Sequence, residues 1–311
     1  MSRFAPRQLQ DPAGFGRVGL VAGGDSAERD VSLDGGRAIE AALRREGVDV
    51  TQYDGPAPLF DAIREGRVDR VFNILHGPGG EDGALQGALR LMGVPVTGTG
   101  MAGSALTMDK VRSKWLWERL DIPTPPFALL GPDDGPEQVV GFEYPLFVKP
   151  NGQGSSIGIS KVADEDGLAD ALALARRYGD QVIVEPGIEG GEYFAGVLDG
   201  VTLPLIRIET PREFYDYEAK YESDETRYFC PCGLPEALES RLQALSLRAF
   251  EALGGAGWGR VDFLLDADQQ PWFLEANTTP GMTDHSLVPQ AAAQAGIGFD
   301  ELVWRILETS L

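Results

Sequence analysis

Arg260-Val-Asp262 and Glu275-Ala-Asn277 stand on either side of Asp268-Gln269, with polar residues at every second position. On a strand the side-chain period is two, so Arg260 shares a face with Asp262, and Glu275 with Asn277. A hairpin turning at Asp268-Gln269 places Asp262 opposite Glu275, gathering two carboxylates and an amide oxygen beside an arginine. Oxygen-only ligands suit Mg²⁺ and do not suit a thiolate zinc site. A plain solvated hairpin face accounts for the same pattern equally well. The alternate residues Phe263, Leu265, Trp272 and Leu274 are expected to form the buried face.

A second candidate is the loop Pro150-Asn-Gly-Gln-Gly-Ser-Ser-Ile-Gly158. Glycines let backbone approach a ligand, and N–H groups and hydroxyls offer donors to phosphate oxygens. Lys149 at the end of the preceding strand favours the phosphate reading over a simple Gly-Ser connection, and such a loop can close as a lid. Lysine is scarce, with Lys110, Lys114, Lys149, Lys161 and Lys220 among 27 basic residues. The two histidines, His76 and His285, both lie in glycine-containing segments.

The elements that must carry these groups alternate along the chain. Strand Val18–Ala22, a helix around 35–45, strand 48–53, helix 58–65, strand 70–75 and helix 84–92 predict a parallel sheet covered by helices. Ligands of such sheets sit at strand carboxyl ends, here Gly23-Gly24 and His76-Gly77. A helix over 108–119 opens a second unit, followed by strands 145–149 and 159–162, helix 167–177 and strand 181–185. Helix 236–253 precedes the hairpin, and helix 299–307 closes the chain. Gly14-Phe-Gly-Arg-Val-Gly19 matches the dinucleotide fingerprint but precedes the first strand, so it cannot form the strand-to-helix turn. No GxxxxGK[ST] loop is present.

With 311 residues, 43% hydrophobic and 24% charged, the chain has the composition of a globular protein of two or three domains. Its net charge of -21 disfavours a nucleic acid partner. Cys230 and Cys232 flank Pro231, form no CxxC pair and support neither a disulfide framework nor zinc; they read as small packing residues in a partly buried strand. Nothing resembles a signal peptide or membrane span, so a cytoplasmic location and no membrane partner are expected. Residues 1–16 read as a polar extension.

Seven segments together resemble D-alanine–D-alanine ligases of the ATP-grasp superfamily. They are Gly-Gly-Asp-Ser-Ala-Glu-Arg-Asp-Val-Ser32, His-Gly-Pro-Gly-Gly-Glu-Asp-Gly83, Met-Asp-Lys110, Lys149-Pro with Gly154-Ser-Ser-Ile-Gly158, Tyr-Asp-Tyr-Glu-Ala-Lys220-Tyr221, Gly-Trp-Gly-Arg260-Val-Asp262, and Glu275-Ala-Asn-Thr-Thr-Pro-Gly-Met-Thr283. The resemblance runs in order from Arg17 onward. It implies an α/β, three-domain ATP-grasp architecture: a Rossmann-like parallel-sheet domain over 17–107, a central ATP-grasp subdomain over 108–190 and a C-terminal subdomain over 191–311.

The implied reaction joins two D-alanines: ATP phosphorylates the carboxylate of the first, and the amine of the second attacks the acyl phosphate, making a peptidoglycan precursor. Asp262, Glu275 and Asn277 match the ligands of two Mg²⁺ or Mn²⁺ ions, with Glu275 bridging; a monovalent cation is left open. Lys110 and Lys149 match residues on the α and β phosphates, Lys220 one on the γ phosphate, and Ser156 belongs to the covering loop. Glu185 and Glu192 match the adenine and ribose contacts, although Pro186-Gly187 departs from the family's bulkier pair and Pro186 has no N–H to donate. Arg260 and the Gly281 N–H match the pair stabilising the tetrahedral intermediate. Glu28 matches the holder of the first ammonium group, where the alternative is a helix-start carboxylate. Glu28, Ser155 and Tyr221 match a hydrogen-bonded set that completes the site on closure. Ser286 and the Leu287 N–H match the second carboxylate site, and His76 a residue near the attacking amine. Lys114 and Lys161 are left as surface charges, and His285 is given no chemistry. The Lys220-Tyr221 pair resembles dipeptide-forming members rather than those making D-alanine–D-lactate; a D-alanine–D-serine ligase and an inactive ATP-binding regulator are the alternatives, the latter at odds with the retained Arg260, Asp262, Glu275 and Asn277. A homodimer is expected.

Overall fold

The structure, a computed structural model, describes residues 4–211, 225–283 and 286–311. The first sheet has the parallel order β2-β1-β3, formed by β1 (Val18–Ala22), β2 (Val50–Asp54) and β3 (Arg70–Asn73). Every residue of β1 is buried, as expected of a parallel strand covered on both faces. Helix α1 spans Arg29–Arg45 and begins six residues before the expected start. It continues through Gly35-Gly36 because it crosses β1 too closely for a side chain: a Cβ on Gly36 would lie 2.7 Å from the Ala22 Cβ. Ser32 on α1 donates to the Ile74 carbonyl at 2.6 Å and accepts from the Gly23 N–H at 2.9 Å, pinning the helix to two strand ends. Helices α2 (Pro56–Arg64) and α3 (Ala84–Leu91) follow where the apolar periodicity places them.

Met-Asp-Lys110 is a helix junction. Helix α4 (Met101–Met108) was not legible in the sequence, and α5 (Lys110–Arg119) starts at Asp109, whose carboxylate accepts from the Arg112 N–H. A four-stranded sheet, order β4-β7-β5-β6, then comprises β4 (Ala128–Leu130), β5 (Leu146–Pro150), β6 (Ser160–Val162) and β7 (Val182–Pro186), backed by α6 (Leu168–Ala175). A third, antiparallel sheet has the order β11-β10-β8-β12-β13, with β9 (Val201–Thr202) paired to β8. Its strands are β8 (Gly190–Leu198), β10 (Ile206–Glu209), β11 (Arg227–Phe229), β12 (Trp258–Asp266) and β13 (Pro271–Asn277), with α7 (Glu236–Ala252) against one face. Helices α8 (Leu287–Gln294) and α9 (Phe299–Glu308) pack with α1 and β1 in one core that joins the first sheet to the third.

The N-terminal residues are not a loose polar extension. Phe15 is buried edge-on against Trp304, with ring centroids 4.9 Å apart. Arg7 lies over the same indole and pairs with Glu46 and Glu301, while the Leu9 N–H donates to Glu308. The composition of this segment is polar, but its few apolar side chains find the α1–α9 seam. No described helix is long and apolar enough to cross a membrane. Cys232 is buried in the core against α7 and Cys230 half-buried, in keeping with packing roles.

Candidate active site

The β12–β13 hairpin has the expected register, with Arg260 opposite Asn277 and Asp262 opposite Glu275. A bulge between Asp262 and Phe263 then shifts the pairing, so that Phe263 faces Phe273. The buried face is therefore Phe263, Leu265, Pro271 and Phe273, whereas Trp272 and Leu274, expected there, are only partly buried. Because of the same bulge, Leu274 and Glu275, though adjacent in sequence, line one cavity together.

Two cavities meet at this hairpin. The larger, about 520 Å³, is bounded by Glu28, His76, Glu81, Ser155, Arg260, Asn277, Gly281, Ser286 and Leu287 among others. The smaller, about 110 Å³, is bounded by Lys149, Ser156, Glu185, Glu192 and Asp262 together with apolar side chains. Lys110 and Glu275 line both, with Lys110 Nζ 3.2 Å from Glu275 Oε2. The residues assigned to the amino acids and those assigned to the nucleotide thus separate onto two sides of one Lys–Glu partition. Lys220, Tyr221 and His285 lie outside the described residues.

In the larger cavity Glu28 precedes α1 but makes no side-chain cap bond. Its carboxylate instead accepts a hydrogen bond from the Ser155 hydroxyl, tying the start of α1 to the loop between β5 and β6. The helix-cap alternative for Glu28 is thereby displaced. Ser155 and Ser156 have φ of 49° and 59°, left-handed conformations uncommon for residues with a side chain. His76 is 5% exposed, and its Nε2 is a buried nitrogen with no hydrogen-bond partner among the described residues. Burial lowers its pKa below the ordinary 6.5, against the pull of Glu28 and of a hydrogen bond to the Thr279 backbone, so the ring is neutral and able to accept a proton. Glu81, not singled out from the sequence although it lies in the His76 motif, is buried, accepts from the Gly77 N–H at 2.6 Å and is pushed well above the carboxylate range by burial and by Glu28.

Opposite, Ser286 precedes α8, and its hydroxyl oxygen accepts from the Thr283 N–H at 2.9 Å. A Cβ at Gly281 would lie 2.9 Å from that same oxygen, so glycine is needed to keep the Gly281 backbone and the Ser286 hydroxyl together. The Leu287 N–H opens the helix, where carboxylates are favoured.

In the smaller cavity Phe147, Ile159, Ile188, Leu264 and Leu274 provide apolar walls. Strand alternation around Lys149 and Asp262 is the signal that would have placed Phe147 and Leu264 here, whereas Leu274 enters only through the bulge. Pro186 lines the same cavity, and the Gly187 N–H is taken by the Pro145 carbonyl at 2.7 Å, so a flat apolar ligand here meets side-chain walls. Glu192 on β8 sits opposite Leu264 on β12.

Lys149 Nζ lies 2.6 Å from Glu185 Oε2, and Lys114 Nζ 2.7 Å from Glu185 Oε1. Lys114, expected on the surface, is 1% exposed; it shares the inward face of α5 with Lys110, four residues earlier. Burial raises the Glu185 carboxyl, but Lys114 and Lys149 outweigh it and hold it at about 2. Burial draws Lys114 down to about 8 despite the attraction of Glu185. Lys161 is exposed, as expected.

Asp262, Glu275 and Asn277 fit a hard cation by chemistry and by placement. The two carboxylates already face cations, Asp262 holding Arg260 through contacts of 2.6 and 2.7 Å and Glu275 holding Lys110. All three side chains project from the hairpin face bordering the cavities.

Sequence models described as D-ala D-ala ligase C-terminus and N-terminus match residues 116–308 and 56–99. The chain belongs to the D-alanine–D-alanine ligase family. It is 52% identical to the D-alanine–D-alanine ligase of Methylococcus capsulatus over 98% of this chain and 99% of that one. Identity to the ligase of Alkalilimnicola ehrlichii is 53%, covering 96% of each chain. The crystal structure of D-alanine–D-alanine ligase from Bacillus anthracis matches at a TM-score of 0.84, with 35% identity over 94% of this chain and 97% of that one. The VanG D-Ala:D-Ser ligase of Enterococcus faecalis matches at 0.83, with 29% identity over 95% and 99%. The same fold thus occurs in structures named for D-alanine and for D-serine as second substrate.

Proposed function

We propose that this chain uses ATP to join two D-alanines into D-alanyl-D-alanine, a peptidoglycan precursor. The observation that carries the reading is the partition: residues suited to a nucleotide line one cavity, residues suited to two amino acids line the other, and Lys110 with Glu275 borders both.

ATP lies with its base among Phe147, Ile159, Leu264 and Leu274, its ribose at Glu192, and its phosphates toward Lys149, Lys110, Ser156 and Lys220. Asp262, Glu275 and Asn277 would hold Mg²⁺ or Mn²⁺, supplying charge neutralisation on the transferring phosphoryl group. Glu28 receives the first D-alanine's ammonium group, and a carboxylate oxygen attacks the γ phosphorus as the bond to ADP breaks. Ser286 and the Leu287 N–H orient the second D-alanine by its carboxylate. Neutral His76 accepts a proton from its ammonium group through Nε2, the freed amine attacks the acyl carbon, and phosphate leaves with the second proton of the attacking nitrogen, giving the peptide N–H. Arg260 and the Gly281 N–H stabilise the developing oxyanion; an arginine cannot deprotonate, which suits it to this task and not to base catalysis. Tyr221 joins Ser155 and Glu28 on closure. Domain divisions at 107/108 and 190/191, a cytoplasmic homodimer, no nucleic acid or membrane partner, and two divalent ions belong to the same proposal, supported by the family relationship and the net charge of -21.

ADP release with D-alanine, with L-alanine, and with D-alanine plus D-lactate or D-serine, with products identified by mass, tests it. The expected result is ADP with a dipeptide only when D-alanine is present. A mixed product preferred in competition would transfer the assignment to a depsipeptide or D-alanine–D-serine ligase, and nucleotide binding without turnover would reinstate the regulator.

A further inference from the structure

Lys114 lines neither cavity, yet it is among the most deeply buried charges of the chain. Its ammonium group meets Glu185 on β7 and donates to the Thr124 hydroxyl at 2.6 Å. Thr124 in turn donates to the Phe273 carbonyl on β13 at 2.8 Å, and the Phe273 N–H bonds to Pro123. Lys114 is therefore fixed between the second and third sheets. Glu185 is 2% exposed and stands between two lysines, Lys114 behind it and Lys149 at the cavity. Burying one carboxylate with one lysine gives a neutral pair, whereas burying it with two leaves a net positive charge.

We propose that Lys114 is a positioning residue that supplies Glu185 with its permanent counterion, leaving the charge of Lys149 available to the nucleotide phosphates. The inference rests on the reading that Lys149 meets those phosphates. Without Lys114, the buried Glu185 has only Lys149 to neutralise it, and an isolated buried carboxylate is strongly disfavoured. Lys149 would then be held in a neutral pair and the phosphates would lose an attractive charge. The other charged group near Lys114 is Glu118, one turn further along α5.

The comparison of ADP with adenosine isolates this effect, because only ADP carries phosphates. Binding of each to the full-length enzyme is measured by calorimetry at neutral pH. Lys114→Gln keeps a donor toward Thr124 and Glu185 but removes the charge. It is expected to weaken ADP at least about tenfold while moving adenosine less than about twofold, given charges acting over several ångströms at intermediate dielectric. Lys114→Arg should retain most of the ADP affinity, and Lys114→Gln combined with Glu185→Gln should recover most of the ADP-to-adenosine affinity ratio that Lys114→Gln loses, since a change at the adenine contact moves both ligands alike. Equal weakening of ADP and adenosine, or no recovery in the double variant, overturns the inference in favour of a packing role. Lys149→Met separates the two readings. If it weakens ADP selectively while Lys114→Gln does not, the positioning role fails and the phosphate contact stands; if it leaves ADP unchanged, the phosphate contact fails and the inference with it.

Discussion

The two cavities solve the problem of charge in opposite ways. Around the smaller cavity the buried Glu185 is paired within the protein by its two lysines, and Phe147, Ile159, Ile188, Leu264 and Leu274 supply apolar walls. Around the larger cavity carboxylates are crowded together, with Glu28, Glu81 and Glu275 near one another, the Glu81 pKa pushed up and the His76 pKa pushed down by burial. Low dielectric makes such unresolved charge costly in the empty protein and valuable when a ligand resolves it. The smaller cavity, proposed for the nucleotide, is drawn largely from two neighbouring sheets, whereas the larger, proposed for the amino acids, is assembled from segments around 28, 76–81, 155 and 260–287.

The comparison is broken most severely at the partition itself. Glu275→Gln should abolish turnover, by roughly three orders of magnitude or more if the residue stabilises charge at the transferring phosphoryl group, while leaving the fold intact. Turnover at saturating Mg²⁺ and thermal melting check this together; near-wild-type activity would exclude the bridging role. Ser155→Ala removes the hydrogen bond to Glu28 that joins loop and first domain. Loss of a bond to a charged group predicts a fall in kcat/KM for D-alanine of about 10- to 100-fold, with ADP affinity little changed. An equal loss in ADP binding would show that the two cavities do not divide as described.

Gly281→Ala pushes a methyl group against the Ser286 oxygen. It should raise KM for the second D-alanine by about tenfold, from a displacement of under an ångström, and leave KM for ATP unaltered. The smallest expected effect is in pH. Because burial lowers the His76 pKa, the proton-accepting form persists below 6.5, so the acid limb of kcat/KM should fall below that value. His76→Asn should remove that limb from the profile. On the nucleotide side Glu185 has a depressed carboxyl, so its contribution to stability is complete above its ordinary value near 4.5 and lost as pH falls toward about 2. Acid unfolding with a midpoint unchanged in Glu185→Gln would contradict that.

The strand-helix alternation of the first domain and the Asp262–Glu275 register were legible because side-chain period fixes both. What escaped was set by neighbours distant in sequence. Glycine at 36 is required by the close crossing of α1 over β1 rather than by a turn, so the helix extends N-terminally past it. The bulge after Asp262 reverses the faces of Trp272 and Leu274, and no alternation pattern signals an inserted residue. β8, which carries Glu192, was not recognised because its glycines and glutamate dilute the apolar pattern. Lys114 looked like surface charge because helix spacing shows which residues share a face but not what that face meets. Glu81 stood in a recognised motif, yet its raised pKa follows only from the burial, and from the neighbouring Glu28, that the fold imposes.

The central claim is that a phosphoryl group passes from the nucleotide cavity to a D-alanine carboxylate across the Lys110–Glu275 partition. D-alanine labelled with ¹⁸O in its carboxylate tests this directly, with the phosphate released during dipeptide synthesis analysed by mass. Transfer of one labelled oxygen to each phosphate is the predicted result, since the attacking carboxylate oxygen leaves with phosphorus when the amine displaces it. Unlabelled phosphate accompanying dipeptide formation would mean that the carboxylate never attacked the phosphorus, and would contradict the account.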